Sequence, residues 1–225
     1  HVTGLNSTSD FNISIAFEGA WTETQKLMFI EGAELISEYV YGDLPDADGI
    51  DDMHITAVSG DVSGYAWGGP RSLHDNGLTK TGQVTFNSAN LSTLENYNVI
   101  DDFAFHEILH AMGIGSHWGG NDFVESIGGE TRFTGQNAIE AYNAPDSIYA
   151  NVAGGDEFSL LGVPLDSGGD HLNESYFGAD VMTPTLSVNN VVSDLSIAML
   201  EDIGYETTYG DPPEEELVYD DPILI

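Results

Sequence analysis

Residues 106 to 110 read His-Glu-Ile-Leu-His. Two imidazoles four residues apart on a helix of 3.6 residues per turn lie about 40° apart around its axis and one turn along, so both can reach one metal ion. Glu107 lies about 100° round from His106, which puts its carboxylate beside such an ion and not on it. Ile108, Leu109, Ala111 and Met112 make the segment apolar, and imidazoles left unpartnered in an apolar helix are costly to bury. The chemistry this set suits is hydrolysis. Zinc lowers the pKa of a coordinated water from about 15.7 to about 7, and a carboxylate at its side can take the proton and hand it to a leaving amine.

No cysteine is present, which excludes disulfides and thiolate sites and leaves imidazole and carboxylate as the available ligands. Two histidines compete for the third position. After His110 the chain runs Ala-Met-Gly-Ile-Gly-Ser-His-Trp, so Gly113 stands three residues past the second histidine, Ser116 three past Gly113, and His117 one further. The other candidate lies 61 residues beyond His110, in Gly-Gly-Asp-His-Leu-Asn-Glu-Ser. There His171 is followed eleven residues later by Met182, in Asp-Val-Met-Thr-Pro. Distance does not exclude it, because loop closure grows only logarithmically and ~60 residues cost only a few kcal/mol more than a short loop.

These residues need a helix, a turn and a scaffold behind them. The pattern from about Asp101 to Met112 is helical and stops at Gly113, a normal terminator. Upstream, Phe11, Ile13, Ile15 and Phe17 alternate with Asn12, Ser14 and Ala16, the period of a half-buried strand. Thr22 and Gln25 have capping-box spacing, and Leu27, Ile30, Ala33, Ile36 and Val40 predict the inner face of a helix running to Gly42. Met53, Ile55 and Ala57 predict a second strand, and Val84 and Phe86 a third, separated by a glycine-rich stretch carrying Tyr65 and Trp67. From Gly115 to about Asn190 periodicity is poor, and only Asn137 to Tyr142 reads as helical. Ser193 caps a last helix with Leu195, Met199, Leu200 and Ile203 inward and Gly204 at its end. Asp211 to Ile225, with Pro212, Pro213 and three consecutive Glu, reads as an extended acidic tail.

The His-Glu-x-x-His helix, the glycine after it, His171, Met182, the Asn-Ala-Ile-Glu-Ala-Tyr-Asn stretch at 137–143 and Leu-Glu-Asp-Ile-Gly-Tyr at 200–205 together resemble the leishmanolysin-type metzincins and their bacterial relatives. The likeness covers most of the chain after Asn98. Before it, the match is vaguer: a strand, a helix and Gly-Ile-Asp-Asp at 49–52. In that family a large insertion separates the glycine turn from the third histidine. The resemblance therefore implies His106, His110 and His171 as zinc ligands, Glu107 as general base, and Met182 as the methionine-turn residue beneath the metal. It implies an α/β metzincin fold of two lobes. Residues 1–113 would carry a twisted mixed sheet and the zinc-bearing helix, and 114–210 the insertion, third ligand and final helix, with 211–225 as the tail. It also implies a secreted zinc-dependent endopeptidase. Protein or peptide substrates would lie in the cleft as an added strand on a sheet edge, placed here at Gly64 to Asn76. The protozoan members are rich in disulfides, so the nearer likeness is to bacterial or archaeal exported enzymes.

Charge narrows the partners. Four Lys and Arg against 38 Asp and Glu give a formal charge of −34, which repels nucleic acid and anionic lipid and suits solubility in salty surroundings. No apolar run approaches the ~20 residues of a membrane span. The chain opens at His1 without a leader, which reads as a processed, exported product, and a monomer is expected. Calcium is a second candidate ion, for the turn bearing Asp46, Asp48, Asp51 and Asp52. His54 and His74 read as solvated strand and loop residues. A competing class is a surface adhesion or binding module that keeps a metal-stabilised metzincin fold without turnover. Glu107 argues against it, since a structural zinc closes its fourth position with a protein ligand and needs no base.

Overall fold

The structure is a computed structural model that describes residues 1–5, 9–118, 123–186 and 190–209. The acidic tail read at 211–225 lies outside them. β1 (Ile13–Gly19) forms where the alternation predicts, with Ile13 and Ile15 buried. Thr22 then starts α1 (Glu23–Tyr39). Its Oγ1 accepts the Gln25 N–H at 3.1 Å while the Gln25 side chain accepts the Thr22 N–H at 3.0 Å, a reciprocal cap.

The inner face of α1 differs from the predicted one, and the helix ends at Val40, short of Gly42. Leu27 is 60% exposed and Ile30 only half-buried, whereas Gln25, Met28, Phe29, Gly32, Ala33, Ile36 and Ser37 are buried. A count of apolar residues misses this face because a glycine, a serine and a glutamine occupy it. Gly32 explains the choice: a Cβ there would come 2.3 Å from the Asp101 carbonyl oxygen, so α1 and the helix that carries His106 and His110 cross at a distance only glycine permits.

β2 (Met53–Gly60), β3 (Ala66–Leu73) and β4 (Thr79–Asn87) complete a mixed sheet of order β1-β2-β4-β3. β1, β2 and β4 run parallel, and β3 is antiparallel on the edge. The glycine-rich stretch is thus a strand in its own right. Phe29 of α1 meets Phe17 of β1 and Phe86 of β4 edge-on at 5.5 and 6.0 Å, holding the helix to the sheet. A short helix that the sequence left unread, α2 (Leu91–Tyr97), precedes α3 (Ile100–Met112), which packs on β3, β4 and α1. Gly113 closes α3 as expected. The Tyr205 hydroxyl donates to the Met112 carbonyl at 3.0 Å, tying that terminus to the distant end of the chain.

The region read as irregular holds a three-stranded antiparallel sheet: β5 (Val124–Ile127), β6 (Glu130–Phe133) and β7 (Val163–Pro164). Strands of four, four and two residues are too short to show a period. Gly128-Gly129 between β5 and β6 is nonetheless a two-residue hairpin signal that the sequence displays. Buried Arg132 on β6 gathers the region, donating to Asp156 at 2.7 and 3.0 Å, to Glu130 at 2.7 Å and to the Gly162 carbonyl at 2.8 Å. α4 (Gln136–Asn143), α5 (Ala150–Ala153) and α6 (Glu174–Phe177) follow, and α7 (Asp194–Ile203) runs from its Ser193 cap to Gly204 as predicted. α7 packs on α4, and its Asp202 accepts the N–H groups of Asn137 and Ala138, both at 2.9 Å, at the start of α4. The architecture is mixed α/β, with seven helices among the described residues.

The candidate calcium turn is rearranged. Asp48 faces Lys80 at 2.5 Å, and the carboxylates that converge are Asp43, Asp51 and Asp52. His74 is buried rather than solvated, its Nε2 donating to the Asp52 carbonyl at 2.7 Å, while half-buried His54 bonds Ser14 at 2.9 Å. Asp52 is fully buried, and burial pushes its pKa up to about 6 against two backbone N–H donors, Leu44 and Asn12. A folded pKa raised above the unfolded ~3.9 gives stability that is fully present below ~3.9 and is lost as pH rises through 6. Melting curves between pH 4 and 6.5 should therefore show a falling contribution on the order of 2 kcal/mol that Asp52→Asn removes. An unchanged pH slope in the variant would show that Asp52 is not the titrating group.

Candidate metal centre

α3 places His106 and His110 one turn apart, both buried. Each Nδ1 faces an oxygen that can only accept. His106 Nδ1 lies 2.6 Å from the Val181 carbonyl, and His110 Nδ1 lies 2.9 Å from the Ile114 carbonyl in the turn after Gly113. Both Nδ1 atoms must therefore carry the proton, which leaves a lone pair on each Nε2.

His171 reaches them on a tight loop. The Asp166 carboxylate accepts the Gly169 N–H at 2.8 Å and the Asp170 N–H at 3.3 Å, and the Asp166 N–H donates to the His171 carbonyl at 2.9 Å. Gly115, with φ +79°, lets this loop approach the turn after α3, since a Cβ there would come 2.8 Å from Asp170. His171 Nδ1 donates to Asp170 at 3.1 Å, which leaves its Nε2 facing His110. The Nε2 of His110 lies 3.0 Å from that of His106 and 3.1 Å from that of His171.

The Nε2 lone pairs of His106 and His110 repel one another at this distance unless a cation or a shared proton sits between them. Tetrahedral zinc with nitrogens at ~2.05 Å would set them about 3.3 Å apart, close to what is found. The three histidines form a group that can hold a metal ion. Electrostatics agree: burial first, then the His110 and His171 rings, hold His106 well below its ordinary pKa, and burial and His171 bring His110 down to about 4. Both therefore stay neutral over a wide pH range, the form in which an imidazole can bind a metal.

Glu107 is buried beside them and lines the same cleft, facing β3 from Ala66 to Pro70. Burial pushes its pKa up to about 8, opposed by a hydrogen bond from the Gly68 backbone N–H. A Cβ on Gly68 would lie 1.9 Å from the Glu107 carbonyl oxygen, so β3 meets α3 backbone to backbone at this point. His117 is outside the group; its half-buried ring packs against Gly113, 2.5 Å from where a Cβ on that glycine would be. Met182 is fully buried, and its carbonyl accepts the Leu172 N–H at 2.9 Å beside His171.

The sequence reading missed the groups that orient the imidazoles. Asp170 was visible as a carboxylate adjacent to His171, but the carbonyls of Val181 and Ile114 carry no sequence signal, because every residue has one. No family model and no curated protein matches the chain.

Proposed function

We propose that this chain is a secreted zinc-dependent endopeptidase of the leishmanolysin-like metzincin type, with His106, His110 and His171 as ligands and Glu107 as general base. The convergence of three imidazole Nε2 atoms beside a buried carboxylate carries the reading. Imidazole-only sites suit zinc, and three protein ligands leave a fourth position open, which is the catalytic pattern. When bound, zinc would supply a Lewis acid that acidifies water and polarises a carbonyl. Glu107 then takes the proton of the attacking water and returns it to the leaving amine. A cation nearby favours its ionised form, which offsets the burial that otherwise holds it protonated.

The cleft extends to both sides of the histidines. One side is lined by Trp67, Gly69 and Pro70 of the edge strand, the other by Tyr65, Phe103, Pro184 and Leu186. An extended peptide fits this arrangement, with β3 supplying main-chain partners. The two-lobe division, 1–113 and 114–210, belongs to the same proposal, with His171 supplied by the second part. The binding-module alternative is disfavoured because, among the described residues, no fourth side chain joins the three histidines and a base stands ready at their side.

The test is metal content together with cleavage of a denatured protein such as casein. Chelation should abolish activity and stoichiometric zinc should restore it. Full activity in chelator, with no metal by elemental analysis, would refute the proposal.

A further inference from the structure

The carboxylate that orients His171 is in plain contact with it, whereas His106 rests on a single peptide bond. That peptide joins Val181 to Met182. Its carbonyl accepts His106 Nδ1–H at 2.6 Å, and its own N–H, pointing the opposite way within the peptide plane, donates to Asp180 Oδ1 at 2.9 Å. Asp180 is fully buried. Its Oδ1 also accepts the Ser196 hydroxyl at 2.6 Å, while Oδ2 accepts the Tyr149 hydroxyl at 2.8 Å and the Ser193 hydroxyl. Each oxygen thus has two donors, which is the satisfied pattern of an ionised carboxylate. Burial raises the Asp180 pKa, and the hydrogen bonds of Ser193, Ser196, Met182 and Tyr149 oppose it.

We propose that Asp180 is a positioning residue for the metal centre, acting on His106 through the Val181–Met182 peptide as a carboxylate–peptide–imidazole relay. An anion on the N–H of an amide makes its carbonyl a stronger acceptor, because hydrogen bonds in series polarise one another. The stronger acceptor draws on Nδ1–H and makes the opposite Nε2 a better donor to a cation, as a carboxylate in direct contact with a ligand histidine does. The same contacts fix the plane. The Val181 N–H donates to the Val191 carbonyl at 2.8 Å, and the Thr183 hydroxyl donates to the Asp180 carbonyl at 2.8 Å, so the turn is held on both sides of the relaying peptide. Among the described residues, His110 Nδ1 has only the neutral Ile114 carbonyl behind it. The three imidazoles are therefore supported unequally: one by a carboxylate, one by a carboxylate through a peptide, and one by a carbonyl alone.

The inference rests on the three histidines binding zinc, and its test separates the two. Zinc affinity is measured by chelator competition on the full chain, Asp180→Asn and Ser196→Ala. The asparagine variant should bind zinc ~10- to 100-fold more weakly, in the range of outer-shell losses. Ser196→Ala, which removes one donor from the same buried cluster but leaves the carboxylate, should change affinity less than threefold whatever it does to the melting temperature. Equal affinities for Asp180→Asn and the parent, or losses in both variants that follow their melting temperatures, would overturn the relay. No zinc binding by the parent would overturn the metal site itself. A measurement on the unaltered protein stands beside these in case Asp180→Asn does not fold. Zinc should move the Met182 amide proton downfield as the chain of hydrogen bonds tightens, and a resonance that stays in place on loading would also overturn the relay.

Discussion

Glu107→Gln is expected to keep zinc and fold while losing turnover. Its carboxylate is not part of the histidine group, so metal content should match the parent. Loss of a general base should lower kcat by roughly 10²- to 10⁴-fold, with KM little changed because ground-state contacts remain. A second readout follows from burial. In the metal-free protein the Glu107 pKa is raised to about 8, so the stability of its protonated form is fully present below the unfolded ~4.3 and is lost as pH rises through 8. Glutamine removes that titration, so the metal-free variant should melt above the parent at pH 8.5. Parallel kinetics and elemental analysis decide the role: a variant that loses zinc makes Glu107 a ligand, and one that keeps full turnover removes it from the chemistry.

His171→Ala should cost the metal and all activity, while His117→Ala should leave both. The first variant removes one of three converging Nε2 atoms and should weaken zinc by more than the 10- to 100-fold of an outer-shell change. The second removes a ring that packs on Gly113 away from the group, so its effect should fall on the melting temperature. A metal titration of the two variants checks this. Zinc lost from His117→Ala and kept by His171→Ala would place the third ligand on the short loop after Gly113.

Much of the scaffold was legible because it is written in local chemistry. The Thr22–Gln25 cap, the alternation through Ile13 and Ile15, the Gly113 terminus of α3 and the Ser193 cap of α7 each depend on neighbours within a few residues. The His106–His110 pair was legible for the same reason, since one helical turn sets its spacing. The inner face of α1 was not, because its closest contact is made by a glycine that carries no hydrophobic signal. The short strands β5 to β7 escaped because four, four and two residues show no period, and because the buried side chain that gathers their surroundings is a charged one, Arg132 of β6. Asp180 went unnoticed because its partners come from Tyr149, Ser193 and Ser196, and no spacing rule joins those positions.

The two edges of the four-stranded sheet have different fates. β1 is covered by the first residues of the chain: Thr3 N–H donates to the Ile13 carbonyl at 3.0 Å and Ile15 N–H to the His1 carbonyl at 2.7 Å. β3 has no strand beyond it among the described residues. A bare edge ordinarily invites copies of a protein to zip together. Here the pairing register breaks after Pro70, proline lacks a ladder N–H, and the Arg71 guanidinium rests 5.0 Å from the Trp67 ring. Only a short run remains on which a foreign strand could lie flat, and it fronts the histidines. The same irregularity leaves little edge for a second copy to pair with, so oligomers built edge to edge should be absent even at high concentration, and their appearance in sedimentation would show that the edge is open.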